Sequence, residues 1–197
     1  MCLSAKMKID PLNLILEKSF NFGKNFYFIT GNEVTLMDKI REKILLKTNN
    51  DFSGEVERVK DIGDINNQLG LFEKRRVYIT NSTTKIEGDI LDRVAASGNF
   101  IIFFCENSPK SRLLKNIFLK RNDSYLIECY EISKENKIKL LNNFLNEKKI
   151  KINENVYWEL IDRLDTRYAF LENELEKITN INNDSLSHEV LNKIFTK

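Results

Sequence analysis

A run of six apolar residues at 100–105, Phe-Ile-Ile-Phe-Phe-Cys, leaves few choices of fold for this chain. The run is much too short for a membrane helix, which needs about 20 apolar residues. A strand that is apolar on both faces is typical of the centre of a parallel sheet, because helices cover both faces there. The run therefore predicts an α/β architecture.

Strand and helix signals alternate through the first two thirds of the chain. Four further strands are predicted from apolar, aromatic and alternating patterns, at residues 26–30, 55–59, 76–80 and 125–129. Helices are predicted between the strands where apolar residues recur at helical spacing, as Ile62, Ile65 and Leu69 do. Five strands separated by helices predict a parallel five-stranded sheet with right-handed crossovers.

Strand signals stop after Tyr130, and helical patterns continue to the end of the chain. Ser133 and Asn153 are suitable N-caps for two helices, and Asp165 or Thr166 is suitable for a third. This change predicts an α/β domain at residues 1–131 and a small helical domain at 132–197.

Composition narrows the function. The chain has 197 residues, of which 42% are hydrophobic and 30% charged, and its net charge is +2. This near-neutral balance does not mark a nucleic-acid binder, so any basic patch must be local. Three widely spaced cysteines without a CxxC motif, and no signal peptide, predict a reducing cytoplasm with buried free thiols. A single histidine, His188, offers little for a zinc site or a catalytic triad, so neither a metal nor a catalytic residue is predicted.

A phosphate-binding loop would lie where the first predicted strand meets a helix. The P-loop motif is G-x-x-x-x-G-K-[ST], since glycine N–H groups wrap the phosphates and the lysine neutralises them. Gly31 is present, but no second glycine follows, and Lys39 precedes Ile40 rather than Ser or Thr. Glu33 adds negative charge where phosphates would lie. The segment is therefore either an NTPase-like frame without nucleotide chemistry or an ordinary strand-to-helix turn, and no cofactor is predicted.

Several segments together resemble one family, the delta subunit of the bacterial DNA polymerase III clamp loader. They are Phe-Tyr-Phe-Ile-Thr-Gly-Asn-Glu at 26–33, Leu-Phe-Glu-Lys-Arg-Arg-Val at 71–77, Ile-Ile-Phe-Phe at 101–104, Ser-Pro-Lys-Ser-Arg-Leu-Leu-Lys at 108–115 and Glu-Asn-Glu-Leu-Glu-Lys at 172–177. Each segment is weakly specific alone, and their order and spacing make the set fairly specific.

The resemblance implies an AAA+-type fold, in which an α/β domain precedes a helical lid. It also implies a non-catalytic subunit of the DNA polymerase III holoenzyme, which binds the beta-type sliding clamp and opens it for loading on primed DNA. The implied partners are the clamp, the gamma/tau and delta-prime loader subunits, and DNA in the assembled loader. The family usually continues into a helical collar domain, and this chain ends at Lys197, about where the collar would begin.

Leu71 and Phe72 match the hydrophobic wedge that the family inserts into a pocket on the clamp. Two interpretations stay open. Phe72 lies at helical spacing from Leu69 and could extend its core stripe, while Leu71 could pack back on Ile65 after a helix that ends at Gly70. If the helix ends there, however, both residues lie in a surface connection, where loops tend to carry function.

A second candidate surface is basic. Lysines and arginines cluster around the helix after the central strand, at Lys110, Arg112, Lys115, Lys120 and Arg121. Lys110, Arg112 and Lys115 could contact DNA phosphates or a neighbouring subunit, or the cluster could be a solvated helix face. Tyr157, Trp158 and Tyr168 could stack on bases, but their helical spacing favours core positions in the lid.

Two other functions compete with the clamp-binding hypothesis. A degenerate AAA+ NTPase would still bind nucleotide through a divergent loop. A stand-alone DNA-binding protein would bind DNA with a steep salt dependence. The Gly31–Lys39 sequence disfavours the first, and the near-neutral charge disfavours the second.

Overall fold

The computed structural model describes residues 8–17, 20–51, 56–65, 76–82, 86, 88–179 and 188–195. The chain divides into two compact units, residues 1–130 and 131–197. The elements of the first unit are β1 (Lys8–Ile9), α1 (Pro11–Leu16), β2 (Phe26–Gly31), α2 (Val34–Asp51), β3 (Val56–Arg58), a short 3-10 turn (Ile62–Asp64), β4 (Val77–Thr80), α3 (Gly88–Ala96), β5 (Phe100–Glu106), α4 (Pro109–Phe118) and β6 (Ser124–Cys129).

The described strands form one sheet in the order β1-β6-β2-β5-β4-β3, and every neighbouring pair is parallel. The α/β prediction is confirmed, with helices flanking the sheet, but the prediction of five strands is wrong. The sixth strand, β1, pairs Lys8 and Ile9 with Leu126 and Ile127 at the sheet edge. Two residues are too few to show an alternating pattern, which is why this strand was not predicted.

The sheet is covered on both faces. Phe28 and Phe103 pack with Phe118 of α4 on one face, in a core that α3 also joins. The next residue of β5, Phe104, points to the other face and carries the guanidinium of Arg41 from α2 at 4.7 Å from its ring centroid. The chain therefore leaves β2 through α2 on one face and leaves β5 through α4 on the opposite face.

The predicted helix through Ile62, Ile65 and Leu69 is wrong at its start. Ile62–Asp64 is a single 3-10 turn, and Ile65 is already extended, with φ −67° and ψ 115°. The Asp61 side chain accepts the Gly63 N–H, which favours a tight local turn over a regular helix. Leu69 lies outside the described residues.

The described residues of the second unit form α5 (Lys134–Lys148), α6 (Glu154–Arg163), α7 (Tyr168–Thr179) and α8 (His188–Ile194). The predicted caps are confirmed for two helices, because Ser133 accepts the Asn136 N–H and Asn153 accepts the Val156 N–H. Tyr168 is buried as predicted, whereas Trp158 is 45% exposed, so its predicted core position is wrong. The assignment of these units as the AAA+ and lid domains stays a prediction.

Candidate functional site

The two residues predicted to bind the clamp, Leu71 and Phe72, lie outside the described residues. Their role stays a prediction. The described residues instead define the carboxyl edge of the sheet, where two regions bear on function. We name them the Gly31 turn, residues 31–36 from the end of β2 into the first turn of α2, and the carboxyl-edge cleft, defined below.

The polar groups of the Gly31 turn form hydrogen bonds within the protein. The N–H groups of Asn32 and Glu33 both donate to the backbone carbonyl of Cys129, at 3.1 and 3.2 Å. The Glu33 carboxylate accepts the Leu36 N–H at 2.6 Å and the Thr35 hydroxyl at 2.8 and 2.9 Å. A phosphate-binding loop would direct such N–H groups at a ligand, whereas here a carboxylate occupies the N-terminus of α2.

Gly31 permits this closure. Its φ of +149° is unfavourable for a residue with a side chain, and an added Cβ would lie 1.8 Å from the Cys129 carbonyl oxygen. Gly31, at the boundary between strand and helix, therefore allows the end of β2 to approach β6 closely.

The structure separates the predicted basic cluster. Lys110 and Lys120 are exposed. Arg121 contributes to packing instead, since its guanidinium donates to Asp123 and Asp92 and lies 5.1 Å from the Phe26 ring centroid. Arg121 is therefore held by two carboxylates and a ring, whereas Lys110 and Lys120 extend into solvent.

Arg112 and Lys115 are brought together on one side of α4. Arg112 Nε donates to Asn107 Oδ1 at 3.3 Å, and Lys115 Nζ donates to Glu128 Oε1 at 2.5 Å. The capping box between Ser108 and Ser111 starts α4 and fixes the direction of this face.

Glu128 is a buried carboxylate of β6 whose negative charge is compensated by neighbouring lysines. Its second oxygen pairs with Lys8 at 2.5 Å, and the Tyr130 hydroxyl donates to the first at 3.2 Å. Burial alone would raise the pKa of Glu128, but the hydrogen bonds from Lys115 and Lys8 outweigh it and lower the pKa. The side chain is therefore ionised near neutral pH, and its charge is compensated by two lysines.

Cys129 lies between the two regions. Burial, and then the negative charges of Glu33 and Glu128, raise the pKa of its thiol. Burial also raises the pKa of Cys105, to about 11. The prediction of buried free thiols is confirmed for these two residues, which makes them poor nucleophiles; Cys2 lies outside the described residues.

The carboxyl-edge cleft is a cavity of about 230 Å³ at the ends of β2, β5 and β6. Its lining combines residues from the three strand ends with one side of α4: Thr30, Asn107, Ser111, Arg112, Lys115, Glu128 and Tyr130. Of the predicted basic site residues, Arg112 and Lys115 line the cleft and Lys110 does not.

Sequence reasoning missed the polar partners of these two cations. An acidic residue in the mostly apolar β6 was the available signal for Glu128, because a charge in a buried strand needs partners. Thr30 and Asn107 had no such signal, since threonine is common in strands and asparagine is common after them.

Comparisons with known proteins find similarity to solved structures only. No protein-family model matches the sequence, and no curated protein matches it. A solved structure with a similar fold is the Bacillus subtilis DNA clamp loader delta protein (YqeN), at a TM-score of 0.46 and 14% sequence identity. The likeness covers 79% of this chain and 53% of that chain, so this chain spans about half of its length. A similarity at this level transfers no function.

Two general features complete the site. Within the described ranges, no His, Cys, Asp and Glu side chains form a group of three or more that could hold a metal ion. None of the described helices combines the length and apolar character needed to cross a membrane.

Proposed function

We propose that this chain is a non-catalytic clamp-loader subunit of the delta type, with an AAA+-like first domain and a helical lid. It binds a sliding clamp and opens the ring for loading on primed DNA during replication. Its partners are the clamp, the other loader subunits and DNA in the assembled loader, and it acts in the bacterial cytoplasm.

The observation that carries the proposal is the closed Gly31 turn. A parallel α/β sheet with a strand, a glycine and a helix at this place has the frame of a nucleotide-binding protein. Here the Glu33 carboxylate and the Cys129 carbonyl take the N–H groups that a phosphate would need. This arrangement favours a binding module over a degenerate NTPase, which would have to break these hydrogen bonds to admit a nucleotide.

The clamp-binding element is assigned from the sequence resemblance at residues 71–77. We propose that Leu71 and Phe72 enter an apolar pocket on the clamp, where burying two such side chains supplies roughly 3–6 kcal/mol gross. The charged residues at 73–76 would then form the polar rim of the interface. Binding opens the ring only to the extent that the open clamp is bound more tightly than the closed one.

Calorimetric titration with the sliding clamp from the same genome tests the proposal. We expect the natural chain to bind and Leu71→Ala/Phe72→Ala to weaken binding by about a hundredfold or more, as for hot-spot residues. Leu46→Ala is the matched control, because Leu46 is an apolar residue that is 60% exposed on α2.

Three outcomes are decisive. Loss of binding in the double variant alone, with circular dichroism unchanged, supports the wedge. Equal binding by the double variant and the control places the interface elsewhere. A folded natural chain that does not bind the clamp contradicts the proposed function.

A further inference from the structure

We infer that the carboxyl-edge cleft binds a phosphate group, with Arg112, Lys115, Asn107 and Thr30 as its donors. The inference deepens the sequence-based prediction that Arg112 and Lys115 contact phosphates, and of the proposed function it rests only on the contact with DNA. Clamp binding through Leu71 and Phe72 does not depend on it.

The topology of the sheet places a crevice at this position. The chain leaves β2 towards one face and leaves β5 towards the other, so the connections diverge between these two adjacent strands. In open α/β sheets, ligands bind outside the carboxyl ends of the strands at such a switch point. The cleft lies there, on the α4 face, whereas α2 and its closed N-terminus belong to the other face.

The electrostatics of the cleft favour an anion. Arg112 and Lys115 line it, and Lys8 adds a third cation beside its single carboxylate, Glu128. Glu128 already accepts from Lys8, Lys115 and the Tyr130 hydroxyl, which leaves little acceptor capacity for a ligand's donors. The surplus groups are therefore donors, and the surplus charge is positive.

Thr30 adds an independent observation. The residue is 5% exposed and lines the cleft, and its hydroxyl finds no hydrogen-bond partner among the residues that the structure describes. An unpaired buried hydroxyl is destabilising, and a ligand oxygen that reaches the buried side of the cleft would pair with it.

Size and shape indicate a single phosphate group. The volume of about 230 Å³ is below the roughly 300–1,000 Å³ of pockets that enclose a whole drug-sized ligand. The donors come from the end of β2, from the residue after β5 and from α4, so they approach from different directions. Such a set suits a tetrahedral anion better than a planar carboxylate, and arginine and lysine are common phosphate ligands.

The test is a titration of the whole chain with inorganic phosphate at low ionic strength, in which binding is monitored by the amide chemical shifts in NMR spectra. We expect saturable binding in the millimolar range with shifts at Asn107 and Ser111. Thr30→Val and Arg112→Ala should each weaken binding by about tenfold, because each removes a hydrogen bond to a charged ligand. Lys120→Ala, at an exposed cation outside the cleft, should change it by less than about twofold.

Two further probes identify the source of the phosphate. The first probe is single-stranded oligothymidylate. If it competes with phosphate, and if Thr30→Val and Arg112→Ala both weaken its binding, the site is assigned to a nucleic-acid backbone. AMP that competes, with no competition by the oligonucleotide, would assign it to a terminal phosphate. Either result supports the site.

Other results would overturn the inference. These are no saturable phosphate binding by the natural chain, acetate binding as tightly at the same residues, or equal phosphate affinity in all three variants. The clamp titration with Leu71→Ala/Phe72→Ala is a separate measurement, so failure of the phosphate site and failure of the clamp interface are distinguishable.

Discussion

The Gly31 turn and the carboxyl-edge cleft lie at the same edge of one sheet, yet their polar groups are arranged in opposite ways. In the turn, N–H donors are taken by the Cys129 carbonyl and the Glu33 carboxylate. In the cleft, the one carboxylate is neutralised and donors are in excess. The difference teaches that one edge of a parallel sheet can use its backbone donors internally at one strand end and still offer polar groups to a ligand nearby.

The largest expected effect comes from Gly31→Ala. The new Cβ would lie 1.8 Å from the Cys129 carbonyl oxygen at a φ of +149°, so β2 and β6 must separate. We expect the free energy of unfolding, measured in urea, to fall by about 3 kcal/mol or more. Gly63→Ala is the control, because an added Cβ there would lie 3.4 Å from Asp61 Oδ1, an ordinary contact distance among the described residues, and it should cost less than about 1 kcal/mol. Equal losses would contradict the close approach at Gly31.

Glu33→Ala removes the side-chain hydrogen bonds of the Gly31 turn. Removing a buried carboxylate that caps α2 should lower the free energy of unfolding by about 2 kcal/mol. Asp38→Ala on the same helix removes an exposed partner of Arg41 and should cost less than about 0.5 kcal/mol. Neither variant should bind Mg-ATP, since the Cys129 carbonyl still takes two N–H groups. A nucleotide-binding Glu33→Ala variant would show that the carboxylate alone closes the site.

Glu128→Gln gives the smallest effect and depends on pH. The pKa of Glu128 is lowered from 4.5, so its ionised form stabilises the folded state above the unfolded-state pKa, and this contribution is lost as the pH falls through the folded-state value. We expect the variant to be less stable than the natural chain by about 1 kcal/mol at neutral pH. The gap should close in acid.

Urea unfolding at several pH values checks this prediction. Glu42→Gln, which makes the same change at an exposed position on α2, is the matched control. A gap for Glu128→Gln that stays constant down to acid pH would mean that packing, and not ionisation, explains the loss.

Long apolar patterns predicted the sheet well. The run at 100–105 and the four other strand patterns correspond to β5, β2, β3, β4 and β6. The central strands β2 and β5 are buried on both faces and are therefore apolar along most of their length, whereas the exposed edge strand β3 was predicted from its alternating pattern. The two-residue β1 carries no period, and its place depends on β6, which is more than a hundred residues away in sequence. The 3-10 turn at Ile62 shows the reverse error, since residues at helical spacing can also be buried by a tight turn.

The candidate site was less predictable. The departures of residues 31–39 from the P-loop motif are local in sequence, so the missing second glycine and the charge of Glu33 were visible without a structure. The pairing of Lys115 with Glu128 joins α4 to β6, and the spare hydroxyl of Thr30 depends on everything packed around it. Such groups are identified by what surrounds them in space, which a linear pattern does not record.

The most direct test of the central claim is calorimetric titration of the natural chain with the sliding clamp, with and without excess Mg-ATP. A binding module whose Gly31 turn is closed should bind the clamp with the same dissociation constant in both conditions. Clamp binding that appears or strengthens only with Mg-ATP, or no binding in either condition, would contradict the account.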